Sequence, residues 1–201
     1  NFTYLITCNQ SRKQIIIDPS VDLKFISPFI NDKPVAIFIS HSHHDHIKYL
    51  EQYIESFPGI FVFGHSISAD KFLHTNFKII NNNETIKIGK IQITAIHTPG
   101  HYFDSICYLI PPIIFTGDTL FSLGCGKIFE GTYEEMFTSL NKIKSLPEDT
   151  KIYCGHEYTL QNSKFCIKHD PTNLNLQKKI IDIKKKLENN TPSIQSTLKD
   201  E

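Results

Sequence analysis

Seven consecutive residues, Ser40-His41-Ser42-His43-His44-Asp45-His46, hold four of the chain's ten histidines and an aspartate. Imidazole nitrogens and carboxylate oxygens at this density are ligands for a transition metal, not the usual content of a solvated loop. His41 and His43 are two apart, so an extended backbone projects both to one side. Asp45 and His46 follow where a helix should begin and can face a second position. His44 has the opposite parity and reads as a spectator. Further donors sit at other segment ends: His97 and His101 around Thr98-Pro99-Gly100, Asp118 in Gly117-Asp118-Thr119, and His156 in Gly155-His156-Glu157. His97 falls within a strand, where a satisfied histidine is common, whereas His101 follows a Pro-Gly turn. Pattern favours His101 without forcing the choice.

These donors sort into His41, His43 and His101 for one ion and Asp45, His46 and His156 for another. Asp118 remains as a carboxylate able to bridge. Three protein ligands with an open position make a catalytic rather than a closed structural site. Two such sites sharing a carboxylate and a water would lie roughly 3.5–4 Å apart. Nitrogen and carboxylate donors suit zinc first, with iron or manganese as alternatives. The nucleophile expected there is a bridging hydroxide, because a metal lowers the pKa of its water towards about 7. No GxSxG elbow is present. Cys125 and Cys154 lie near these donors in sequence but read as small packing residues.

The elements that must position these groups can be read from periodicity. Phe2–Thr7 and Gln14–Ile17 suggest a hairpin broken after Ile17 by Asp18-Pro19-Ser20. The apolar run Val35–Ile39 reads as a buried strand emptying into the histidine cluster. Ile47, Leu50, Ile54 and Phe57 predict one helix after it, ending before Pro58-Gly59. Strands are expected over Ile60–Phe63, Thr85–Ile88, Lys90–Ile96, Ile106–Ile110, Ile113–Phe115 and Lys151–Cys154, and a short helix over Ser66–Leu73. Thr132 and Glu135 form a capping box for a helix over Tyr133–Leu146. From Thr159 onward the pattern is helical, with Leu176, Ile180, Ile183 and Leu187 on one stripe. Strands in runs with helices between and after them favour helices on the outer faces of a two-sheet core.

At 201 residues the chain suits one domain with an appendage, and 21 basic residues balance 21 acidic ones. A zero net charge gives no reason to expect a nucleic-acid partner. No apolar run is long enough to span a membrane and no signal peptide is seen. Five cysteines without a CxxC pair suggest reduced thiols and a cytoplasmic location. The chain starts at Asn1, midway into a strand, so residues before it are expected to be absent.

His41-x-His43-x-Asp45-His46 with His101, Asp118 and His156 resembles the metal-binding set of the metallo-β-lactamase superfamily. Thr98–His101, Phe115–Phe121, Gly124–Thr132 and Tyr153–Thr159 make the chain similar, within it, to glyoxalase II, the hydroxyacylglutathione hydrolases. The resemblance implies an α+β fold, an αββα sandwich over residues 1–157 with the dinuclear site at one edge. Residues 158–201 would begin a helical region that binds substrate and is expected to be incomplete at Glu201. It also implies hydrolysis of S-D-lactoylglutathione to D-lactate and glutathione by a monomer, the second step of methylglyoxal detoxification. All seven donors would be ligands, with Asp118 bridging both ions, and Lys127 and Tyr158 would contact glutathione. Phe129 stands where many relatives have a tyrosine that also touches glutathione, and Ile47-Lys48-Tyr49 replaces a glycine-containing stretch. The competing expectation is a persulfide dioxygenase of the same fold with one iron.

Overall fold

Side-chain alternation decides the layers. In β2 (Gln14–Ile17), Ile15 and Ile17 enter one apolar cluster and Ile16 another, and β3 (Ala36–Phe38) divides Ala36 and Phe38 from Ile37 in the same way. The first cluster joins them to Ile93, Ala95, Tyr108 and Phe115 of a second sheet, so this is the interior between two sheets. Ile16 and Ile37 pack outward on Leu50 and Tyr53 of a helix. Ile96, Cys107, Ile114 and Ile152 of the second sheet pack outward on Ile143 of another. Helix, sheet, sheet, helix is the result. Each fully buried isoleucine contributes about 1.5–3 kcal/mol through loss of water contact.

The structure is a computed structural model that describes residues 1–72 and 76–201. The first sheet runs in the order β1 (Tyr4–Thr7), β2, β3, β4 (Phe61–Gly64) and β5 (Phe77–Ile79). Only the β1–β2 pair is antiparallel. The second sheet contains β6 (Thr85–Ile88), β7 (Ile91–His97), β8 (Ile106–Ile110) and β9 (Ile113–Gly117) as an antiparallel meander. A small hairpin, β10 (Leu120–Phe121) and β11 (Gly124–Cys125), follows. Beyond it β12 (Lys151–Cys154) pairs parallel with β9, so their C-terminal ends lie side by side. β13 (Ser196–Thr197) closes the sheet against β12. The helices are α1 (Leu23–Ile26), α2 (His44–Ile47), α3 (Leu50–Ser56), α4 (Tyr133–Lys144), α5 (Thr159–His169) and α6 (Leu174–Glu188). None is long and apolar enough to cross a membrane among the described residues.

Several expectations need correction. The single helix over Ile47–Phe57 is two, α2 and α3. At the break, the Tyr49 N–H donates to the Pro19 carbonyl instead of continuing the helix. The expected helix over Ser66–Leu73 is a 3₁₀ turn over Ser66–Lys71, and Leu73 lies outside the described residues. The α4 helix carries its capping box but stops at Lys144 rather than Leu146. Residues 158–201 are not helical throughout, because β13 returns to the second sheet. Glu157 fastens that return, accepting from the N–H and hydroxyl of Ser193, both at 2.6 Å. α1, β5 and the β10–β11 hairpin were not anticipated; all are short, with four residues or fewer per element.

Candidate metal centre

The histidine cluster leaves the end of β3 while His101 follows β7, Asp118 follows β9 and His156 follows β12. These ends share one edge of the sandwich, and their donors converge. His43 Nδ1 lies 3.0 Å from Nε2 of both His41 and His101. His156 Nε2 lies 3.4 Å from Asp45 Oδ2 and 3.3 Å from His46 Nε2. Within each of the triads His41–His43–His101 and Asp45–His46–His156, the donor atoms fall within 4.8 Å of one another. Asp118 reaches both triads, through His101 Nε2 at 3.6 Å, His46 Nε2 at 3.2 Å and His156 Nε2 at 3.2 Å.

The two histidines around the Pro-Gly turn separate clearly. His97 faces the Phe103 carbonyl through Nε2 at 2.8 Å and stacks on His65, away from the cluster. His101 enters the cluster. His44 is exposed at the mouth of the cavity.

Second partners decide which nitrogen each ring presents. Carbonyl and carboxylate oxygens accept only, so His101 Nδ1–H donates to the Lys127 carbonyl at 2.6 Å and His46 Nδ1–H to Asp18 at 2.8 Å. Both Nε2 atoms are thereby turned to the centre, the usual device for orienting ligand imidazoles. Burial holds the pKa of His41, His43 and His101 below the ordinary histidine value, leaving them neutral. For His46 burial acts the same way, but Asp18 and Asp118 outweigh it and push the value up to about 10. Burial would raise the Asp118 carboxyl, yet hydrogen bonds from His156 and His46 hold it well below the usual carboxylate range.

The backbone is shaped to admit these groups. A Cβ on Gly155 would lie 2.4 Å from Asp118 Oδ1 and 2.7 Å from His46 Cε1. Gly117 adopts a φ of +48°, and a Cβ there would lie 2.7 Å from Ser40 Oγ.

Two groups that pattern reading passed over support the centre. Asp18 was taken as a strand breaker. It is 3% exposed and accepts from the Ser40 N–H at 2.7 Å and Ser40 hydroxyl at 2.6 Å as well as from His46. The available signal was an aspartate ending the apolar strand β2, which pairs parallel with β3 and so ends beside it. Phe121 is the other, edge-on to both His156 and Tyr158. Lys127, Phe129 and Tyr158 line the same cavity of about 570 Å³. Tyr158 stacks on His156 with ring centroids 4.7 Å apart, and the Lys127 ammonium lies over the Phe129 ring.

Residues 69–156 match the model of the metallo-beta-lactamase superfamily, and residues 157–201 match that of the hydroxyacylglutathione hydrolase C-terminus. A hydroxyacylglutathione hydrolase from Pelagibacter ubique (strain HTCC1062) is 44% identical over 206 residues, covering 100% of this chain and 85% of that protein. The chain belongs to the hydroxyacylglutathione hydrolase family. A second family member, from Salmonella paratyphi A, is 39% identical and covers 83% of this chain and 66% of its own length. Among solved structures, ETHE1 from Myxococcus xanthus shares the fold with a TM-score of 0.68 at 29% identity, over 78% of this chain and 70% of that one. The family and its donor set imply divalent metal ions. The residues fit such ions: nitrogen and carboxylate donors lie within 4.8 Å of one another in each triad, and the buried Asp118 carboxylate stands within 3.6 Å of both.

Proposed function

We propose that the chain hydrolyses 2-hydroxyacylglutathione thioesters, S-D-lactoylglutathione first among them, to a 2-hydroxy acid and glutathione. The observation that carries this reading is the position of Asp118, within 3.6 Å of both triads, in the cavity that Lys127 and Tyr158 line. His41, His43 and His101 would hold one ion, Asp45, His46 and His156 the other, and Asp118 both, with zinc the best match to the donors. Ions held there would supply an activated water as nucleophile and a Lewis acid for the thioester carbonyl.

The rest is done by the chain's own groups. Glutathione carries carboxylates, and Lys127, exposed at the cavity mouth, offers them a charge-assisted hydrogen bond. Tyr158, stacked on His156, places its ring and hydroxyl along the path of the tripeptide. Attack at the carbonyl carbon forms a C–O bond and breaks the C–S bond. The leaving thiolate is stable enough that no strong general acid is required. Residues 158–201, anchored through Glu157 and β13, serve as the substrate-binding region. Free cysteines support a cytoplasmic setting and balanced charge gives no footing for nucleic acid; the chain would act as a monomer on a small molecule, away from any membrane.

The test is steady-state hydrolysis of S-D-lactoylglutathione with metal quantification on the same preparation. Thioester turnover with two ions per chain, both lost in Asp118→Ala, is the expected result. One iron per chain with oxygen uptake on glutathione persulfide would replace this reading with a dioxygenase.

A further inference from the structure

The two triads differ in charge. Asp45 gives the second one a carboxylate of its own, whereas the first, His41, His43 and His101, consists of imidazoles alone. A dication on the first triad would therefore have only a share of Asp118 to balance it. Behind this triad stands Asp104, on the short connection between His101 and β8. It is 1% exposed. Its Oδ2 accepts from the backbone N–H of Ser42 at 3.1 Å, and Ser42 is the residue between His41 and His43. Its Oδ1 is buried with no hydrogen-bond partner among the described residues. The Ser42 hydroxyl is held from another side by Lys71 Nζ at 2.7 Å.

A buried carboxylate with one oxygen unsatisfied is costly unless a positive charge lies nearby to compensate it. No described residue forms an ion pair with Asp104. Two charges can supply the compensation: the Lys71 ammonium that holds the Ser42 hydroxyl, and an ion held by His41, His43 and His101. We propose that Asp104 is a positioning residue for the His41–His43 segment and the counter-charge of the ion held by His41, His43 and His101. Through its hydrogen bond it fixes the spacing of the two imidazoles; through its charge it gives the first site the anion that Asp45 gives the second. Asp18 does comparable work for Ser40 and His46, so a buried carboxylate backs each half of the cluster.

The proposal rests on the metal reading of the site and is independent of the thioester reading. It is tested by titrating the metal-free chain with Zn²⁺ against a competing chelator. The wild type should show two tight equivalents; failure to bind any would remove the metal reading, and this inference with it. Asp104→Asn keeps the volume and an acceptor for Ser42 but removes the charge. It is expected to weaken one equivalent roughly 10- to 100-fold, the range for residues that support ligands, and to leave the other unchanged. Asp104→Ala, lacking both, should weaken the same equivalent further; should that variant fail to fold, the asparagine variant still decides. Asp45→Asn should weaken the other equivalent, and the double variant both. Wild-type affinities in Asp104→Asn overturn the counter-charge. A double variant that keeps one tight ion overturns the assignment to the first site.

Discussion

The Nδ1–H of His46 donates to Oδ2 of Asp18 at 2.8 Å, although 28 residues separate them. The bond joins the end of β2 to α2 through side chains, and it fixes the tautomer of an imidazole that is wholly buried. His46 can then present only Nε2 to Asp118 and His156.

Removing that acceptor should be expensive. In Asp18→Ala the Ser40 N–H, the Ser40 hydroxyl and the His46 Nδ1–H all lose a buried partner. The metal-free chain should lose about 3–5 kcal/mol in urea unfolding, the cost of breaking a buried pair by deleting one member. Metal affinity, read by chelator competition, should fall roughly 10- to 100-fold.

Space is equally restrictive at Gly155. With Asp118 Oδ1 only 2.4 Å from the position of an added methyl, Gly155→Ala should displace the Asp118 carboxylate. Metal content and turnover are expected to fall together. Gly59, with a φ of +84° but open space around it, is the control. There Gly59→Ala should cost about 1–3 kcal/mol of backbone strain and leave metal content intact.

The metal-free chain should also show a defined pH window. His46 has its pKa raised from 6.5 to about 10, so its contribution is complete below about 6.5 and is lost as pH rises through 10. The Asp118 pKa is depressed from 3.8, so its contribution is present above that value and is lost as pH falls. His41, His43 and His101, depressed below 6.5, contribute above that value and lose their contribution as pH falls. Thermal melting followed by circular dichroism should therefore peak near neutral pH and decline on both sides, towards acid and towards pH 10. Asp18→Asn, which removes the charge facing His46, should flatten the alkaline decline; an unchanged slope would assign it to other groups.

Substrate contacts can be separated from chemistry by kinetics. Lys127→Ala should raise KM about tenfold or more, the worth of a hydrogen bond to a charged group, while kcat changes little. Phe129→Tyr adds a hydroxyl at the cavity mouth and should lower KM by about 2- to 10-fold if it finds a glutathione acceptor. An effect of either change on metal content would place these residues in the wrong role.

Much of this edge was legible from residue types alone, for a physical reason. His41, His43, Asp45, His46, His101, Asp118 and His156 are costly to concentrate without a ligand, so the pattern stands out against ordinary loops. The strands carrying them were visible as well, because Ile15, Ile37, Ile93 and Ile114 are buried and period two leaves a plain trace. What escaped were relationships set by tertiary packing. Nothing local distinguishes Asp18 or Asp104 from a turn aspartate until the ends of β2 and β3 and the start of β8 are brought together. The break at Tyr49 depends on a carbonyl at Pro19 that no periodicity reports. The return of β13 to β12 is a two-residue ladder, too short for any pattern to reveal.

The division of donors between the two sheets has a mechanical meaning. His41, His43, Asp45 and His46 issue from β3 in one sheet, and His101, Asp118 and His156 from β7, β9 and β12 in the other. Any ion they share is a cross-link between layers otherwise joined at this edge by apolar contact and a few hydrogen bonds, such as Ser42 N–H to Asp104 and Ile106 N–H to the Ser40 carbonyl. An ion present at a thousand times its dissociation constant adds about 4.1 kcal/mol to the folded state. That energy acts on the seam between the sheets, so chelation loosens the sandwich from its catalytic rim inward.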